Sequence, residues 1–119
     1  MLVLKSLLDL LADIESGKRK LGPADKDNPM DPWLSDPLHS EMDSALVASK
    51  ILDDSEPYSK GAERLWLQFP ENLDSESTQT LKDWVHRLTR SERFCAGSIL
   101  SAAESGHLGR VIRALQQRV

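Results

Sequence analysis

Cysteine is nearly absent from this sequence: Cys95 is the sole one in 119 residues. No internal disulfide can therefore staple the fold, and such a chain is at home in a reducing compartment, with the cytoplasm the expected one. Aromatics are also scarce, six in all, against 39% apolar and 29% charged residues, which predicts a modest core with part of the chain left outside it. No apolar run approaches the roughly 20 residues that a bilayer demands. The opening MLVLKSLLDLLADIESG has no basic residue before its apolar stretch, is interrupted by Asp9 and Asp13 and lacks a small-residue cleavage site, so it does not read as a secretory leader. Missing as well are a phosphate-binding glycine loop, metal-ligand spacing and any matched pair of carboxylates or histidines. Neither a cofactor nor a metal is expected, and catalysis is not the first expectation.

What is present is a chain of one-domain size with its charge unevenly spread. Residues 84–119 carry six arginines against Glu92 and Glu104, a surplus of +4, which leaves −8 for the rest of a chain whose net charge is −4. A basic end on an acidic body suits either an anionic partner or mutual attraction within the fold, and the overall acidity favours the second.

Leu4, Leu7, Leu8, Leu11 and Ile14 recur at three and four residues, predicting an amphipathic helix that buries its leucine stripe, stopped by Gly17. Residues 17–36, with Pro23, Pro29 and Pro32, predict a loop. Its Asp25, Asp27, Asp31 and Asp36 do not make a calcium loop, because Pro29 and Met30 stand where an oxygen ligand and a glycine are needed. Trp33 is expected to pin this loop to the core. Asp36-Pro37 opens a second helix, expected to reach about residue 53 through Leu38, Met42, Ala45, Leu46, Ser49 and Leu52. The run GAERLWLQF at 61–69 reads as a short helix, since its alternating Leu65, Leu67 and Phe69 have no second strand to pair with.

From residue 74 onward a three-helix unit is expected. Asp74 caps a helix that turns Leu81, Trp84, Val85 and Leu88 inward, pairs Asp83 with Arg87 on its surface and leaves His86 outside. Thr89-Arg90-Ser91-Glu92 fits the capping box, which predicts a new helix from residue 90. Gly97, Ser101 and Ser105 then repeat every four residues beside Cys95 and Ala102, giving a face with little bulk. Tight packing with Gly97 against another backbone is the plainer expectation and a ligand against the helix the sharper one. Phe94 is expected to be buried, and so is Cys95, as an ordinary small residue without a neighbouring base. Gly106 ends this helix, and Leu108, Val111, Ile112 and Leu115 mark the inner face of the last, with Arg110, Arg113 and Gln117 outside.

The string Arg90-Ser91-Glu92-Arg93-Phe94-Cys95-Ala96-Gly97, followed by Gly106 and a leucine-bearing last helix, resembles the C-terminal signature of an uncharacterised family of small prokaryotic proteins, R-x-E-R-F-C-x-G before a glycine-ended helix. Ala96 stands where members often have an acidic residue. The resemblance implies that Arg90, Glu92, Arg93, Phe94, Cys95, Gly97 and Gly106 matter, and it implies no activity. More loosely, Ala102, Gly106, Ile112 and Leu115 are similar to the pattern of helix-turn-helix DNA readers, which would present Arg110, Arg113, Gln116 and Gln117 to a groove, although the net charge repels phosphate. The expectation is an all-α single domain of five to six helices, noncatalytic, that binds a protein partner or a second copy. DNA binding through Arg110, Arg113 and Gln117 is the alternative, and an enzyme acting on an anionic substrate near Arg90, Arg93 and Cys95 comes third.

Overall fold

Residues 2–19 and 36–118 are described by a computed structural model; the expectations for the proline-rich stretch, Trp33 included, lie outside the described residues. The leucine spacing near the N-terminus forms α1, Lys5–Glu15, with Leu7, Leu10, Leu11 and Ile14 inward and Gly17 at φ +80 just beyond its end. Helix α2 spans Pro37–Ala48, and the Asp36 carboxylate accepts from the Leu38 amide at 2.8 Å. It stops short of residue 53. The fully buried Ser49 donates its hydroxyl to the Leu46 carbonyl and accepts from the Ile51 amide. Such a side chain competes with the helical ladder, and after Lys50 at φ +68 the chain continues as a 3-10 turn, η1, Ile51–Asp54.

The short helix expected over 61–69 is present but ends before Gln68: α3 is Lys60–Leu67, with the Ser59 hydroxyl accepting from the Ala62 amide. Helix α4, Thr78–Phe94, is capped by Ser77 through the Thr80 amide and not by Asp74. It also runs unbroken through residue 89, so the expected start at residue 90 is corrected. The Thr89 hydroxyl donates back to the His86 carbonyl, as befits a helix interior where no orphan amide awaits a cap. The break comes at Cys95–Gly97, ahead of α5, Ser98–Glu104, and again at Gly106, φ +87, ahead of α6, His107–Gln116.

Among the described residues the architecture is all-α, six α-helices and one 3-10 turn. One apolar cluster joins them, with α6 packed against α1, α4 and α5 and its Leu108, Val111, Ile112 and Leu115 fully buried. Helix α3 approaches α4 closely at Gly61, where an added Cβ would lie 2.5 Å from Thr80 Oγ1. Asp83 is not a surface partner of Arg87. It is buried and accepts from the Glu56 amide at 2.7 Å and from Gln79 Nε2 at 2.8 Å, which ties the turn after η1 to α4.

Candidate functional site

The signature residues form the joint between α4 and α5. Glu92, in the last turn of α4, reaches forward: its carboxylate accepts from the Gly97 amide at 2.7 Å and the Ile99 amide at 3.1 Å, satisfying donors that open α5. Ser98 donates to the Cys95 carbonyl and shares a hydrogen bond with the Ser91 hydroxyl. Gly97 is needed for its backbone, φ +96, and not for close packing, since a Cβ there meets nothing within 4 Å. Phe94 is 82% exposed and Cys95 is exposed, which corrects the expectation that both are buried. Phe94 lies seven residues beyond Arg87, two turns along the outward face of α4. Arg90 is half-buried and Arg93 exposed, both beside a groove at the end of α4.

On another side of the joint, the small face of α5 looks onto a second groove of about 580 Å³ between α3, α4 and α5. Its aromatic wall is a row of four rings. Trp66 and Trp84 lie 6.4 Å apart, Trp84 and Phe69 meet edge to face at 5.5 Å, and Phe69 stacks on His107 at 4.2 Å. A guanidinium sits over each flank: Arg87 is 5.4 Å from the Trp66 ring and Arg110 5.0 Å from the Phe69 ring. Opposite the rings, Ser98, Ser101, Ala102 and Ser105 present hydroxyls and methyls, and no carboxylate belongs to the lining. Of the two readings of the small-residue stripe, the open groove is what the packing leaves. The four rings were not singled out as a site from sequence. Trp66 and Phe69 are close in sequence, but only the approach of α3 to α4 brings Trp84 between them.

A family model for a family of unknown function, DUF6508, matches residues 3–119. The chain belongs to DUF6508. The match takes in every element from α1 to α6 and thus both grooves of this DUF6508 chain. No curated protein and no solved structure matches the chain.

The last helix of this DUF6508 chain turns its cations back on its own body. Arg110 donates to the Pro70 carbonyl at 2.9 Å and to that of Glu71, and Arg113 pairs with Glu15. DNA contact through Arg110 and Arg113 would break these bonds; Gln117 is exposed. Among the described residues no group of three or more His, Cys, Asp or Glu is placed to hold a metal ion, and no helix is long and apolar enough to cross a membrane.

Proposed function

We propose that this chain is a noncatalytic interaction module that receives an amphipathic helix, apolar on its inner side and acidic at its flanks, in the groove between α3, α4 and α5. The observation that carries this reading is the row Trp66, Trp84, Phe69 and His107 with Arg87 and Arg110 at its flanks, set against an α5 face of serines and alanine. Aromatic rings offer large apolar area at little entropic cost. A wall without bulk lets a second helix backbone approach closely. Arg87 and Arg110 keep their internal contacts, and their positive field at the flanks favours acidic neighbours over basic ones. An amphipathic helix docks by laying its apolar face into an apolar groove, and these features suit this groove to one with acidic flanks.

Selection from a library of random helical peptides against the full chain tests the proposal, followed by titration of the enriched peptides on tryptophan fluorescence. Enriched sequences are expected to repeat Leu or Phe at three- and four-residue spacing between Asp or Glu. Ser101→Trp, which fills the groove from an exposed position of α5, is expected to weaken them at least tenfold, about 1.4 kcal/mol. Peptides that bind this variant as tightly as the natural chain would refute the docking site.

A further inference from the structure

All eight arginines lie within the described residues, and six are held by the fold. Arg19, Arg64 and Arg113 pair with Glu41, Glu76 and Glu15. Arg110 and Arg118 donate to main-chain carbonyls between residues 70 and 76, and Arg87 lies over the Tyr58 and Trp66 rings. Arg90 and Arg93 engage no described residue by hydrogen bond, ion pair or ring contact. These two share one groove of about 460 Å³ between α2 and the end of α4, and it has no lining residue in common with the aromatic groove.

Four apolar side chains from three parts of the fold line its floor, Leu52 half-buried and Met42, Leu46 and Ile99 almost wholly buried beneath it, and Val47, 61% exposed, stands at its edge. Two carboxylates border it. Glu92 spends its oxygens on the Gly97 and Ile99 amides, and Asp43 makes no ion pair with a described residue. His86 also lines the groove. Its Nδ1 lies 2.8 Å from Ser55 Oγ and 3.3 Å from the Ser55 carbonyl, while the Ser55 hydroxyl donates to the Leu52 carbonyl. Both Ser55 oxygens therefore accept and Nδ1 carries the proton.

A cation near the end of α4 is favoured by the helix dipole alone, but that effect is met equally by a solvated lysine and puts no apolar floor beneath the charge. Guanidiniums three residues apart are neighbours on one helix face and match the planar fork of a carboxylate or a phosphate. The geometry points to a binding site for a small organic anion, its carboxylate or phosphate head between Arg90 and Arg93 and its apolar body against Leu52 and Val47. The site is independent of the helix-docking groove.

Calorimetric titration of the full chain with octanoate, octyl phosphate and octanol tests this. Saturable one-to-one binding of octanoate or octyl phosphate is expected, with octanol at least tenfold weaker. The double variant Arg90→Gln/Arg93→Gln, which removes no hydrogen bond, ion pair or ring contact among the described residues, is expected to lose at least tenfold in affinity with unchanged far-ultraviolet circular dichroism. Val47→Glu, which sets a carboxylate at the edge of the groove, is expected to lose affinity as well. Absence of saturable binding by both anions, octanol binding as tightly as either, or affinity unchanged in both variants would overturn the proposal. So would loss of binding in Ser101→Trp with retention in the arginine variants, because the ligand would then sit in the aromatic groove.

Discussion

Left-handed backbone costs a residue with a Cβ about 1–2 kcal/mol, and that cost governs Gly97. Its surroundings are open, so Gly97→Ala and Gly97→Leu are expected to lose the same stability, about 1–2 kcal/mol each, while Gly97→Asn loses less. Overpacking would instead make leucine the worse of the two; urea midpoints of the three variants separate the explanations. At Gly61 the forces reverse. Alanine gains about 1 kcal/mol of helix propensity, but its Cβ would lie 2.5, 3.0 and 3.2 Å from Thr80 Oγ1, Cγ2 and Cβ. A β-branched side chain on a long helix yields little, and overpacking costs about 1–3 kcal/mol. Gly61→Ala is expected to destabilise, and Thr80→Ala in the same chain to restore most of the loss. The two glycines are the same letter in the sequence. The four-residue repeat after Gly97 suggested close packing there, whereas the partner that crowds Gly61 belongs to another helix, and residue spacing does not say which helices touch. Phe94 was misjudged for a related reason: its apolar character says buried, but its angle on α4 places it with Arg87, and that angle exists only if the helix continues through Thr89.

Helices announced by an unambiguous apolar period, α1 and α6, were legible in the sequence, and so were the stops at Gly17 and Gly106. Of the ends set by hydroxyl and carboxylate side chains, the Asp36 cap of α2 was legible and those of α4 and of the joint after it were not. Asp74, Ser77 and Thr89 are all good caps by residue type, whereas α5 begins at Gly97 without a side-chain cap of its own, so the capping pattern alone left several registers open. Ser49 supplies a further case, since a serine on an apolar face reads as a tolerated small residue until its hydroxyl takes the Leu46 carbonyl. Glu92 was rightly assigned to local amide satisfaction, but it serves the helix ahead of it rather than a cap behind. Glu92→Ala is therefore expected to cost about 1–3 kcal/mol, the worth of a charge-assisted cap on two amides. Hydrogen exchange at the Gly97 and Ile99 amides is expected to accelerate more than exchange in α1 or α6. Uniform acceleration across all helices would mean that Glu92 supports the whole core and not the joint.

Across the whole molecule the split between a basic end and an acidic body becomes a set of latches. Arg113 reaches Glu15 on α1, Arg118 donates to the Glu76 and Leu73 carbonyls, and Glu76 is also gripped by Arg64, which bonds both of its carboxylate oxygens. That hydrogen bonding, helped by the charges of Arg64 and Arg118 and opposed by burial, holds the Glu76 carboxyl below the usual carboxylate range. A folded pKa below the unfolded value, about 4.3 for glutamate, means that the contribution is present above that value and disappears as pH falls through the folded one. The difference in urea midpoint between the natural chain and Glu76→Gln is thus expected to be full near neutrality, to narrow below about pH 4 and to vanish in stronger acid. Because the Arg64 side chain is 57% exposed, molar salt should shrink the neutral-pH difference through screening. A difference that stayed constant from neutrality into strong acid would mean that Glu76 supports the fold by packing alone, with its charge contributing nothing.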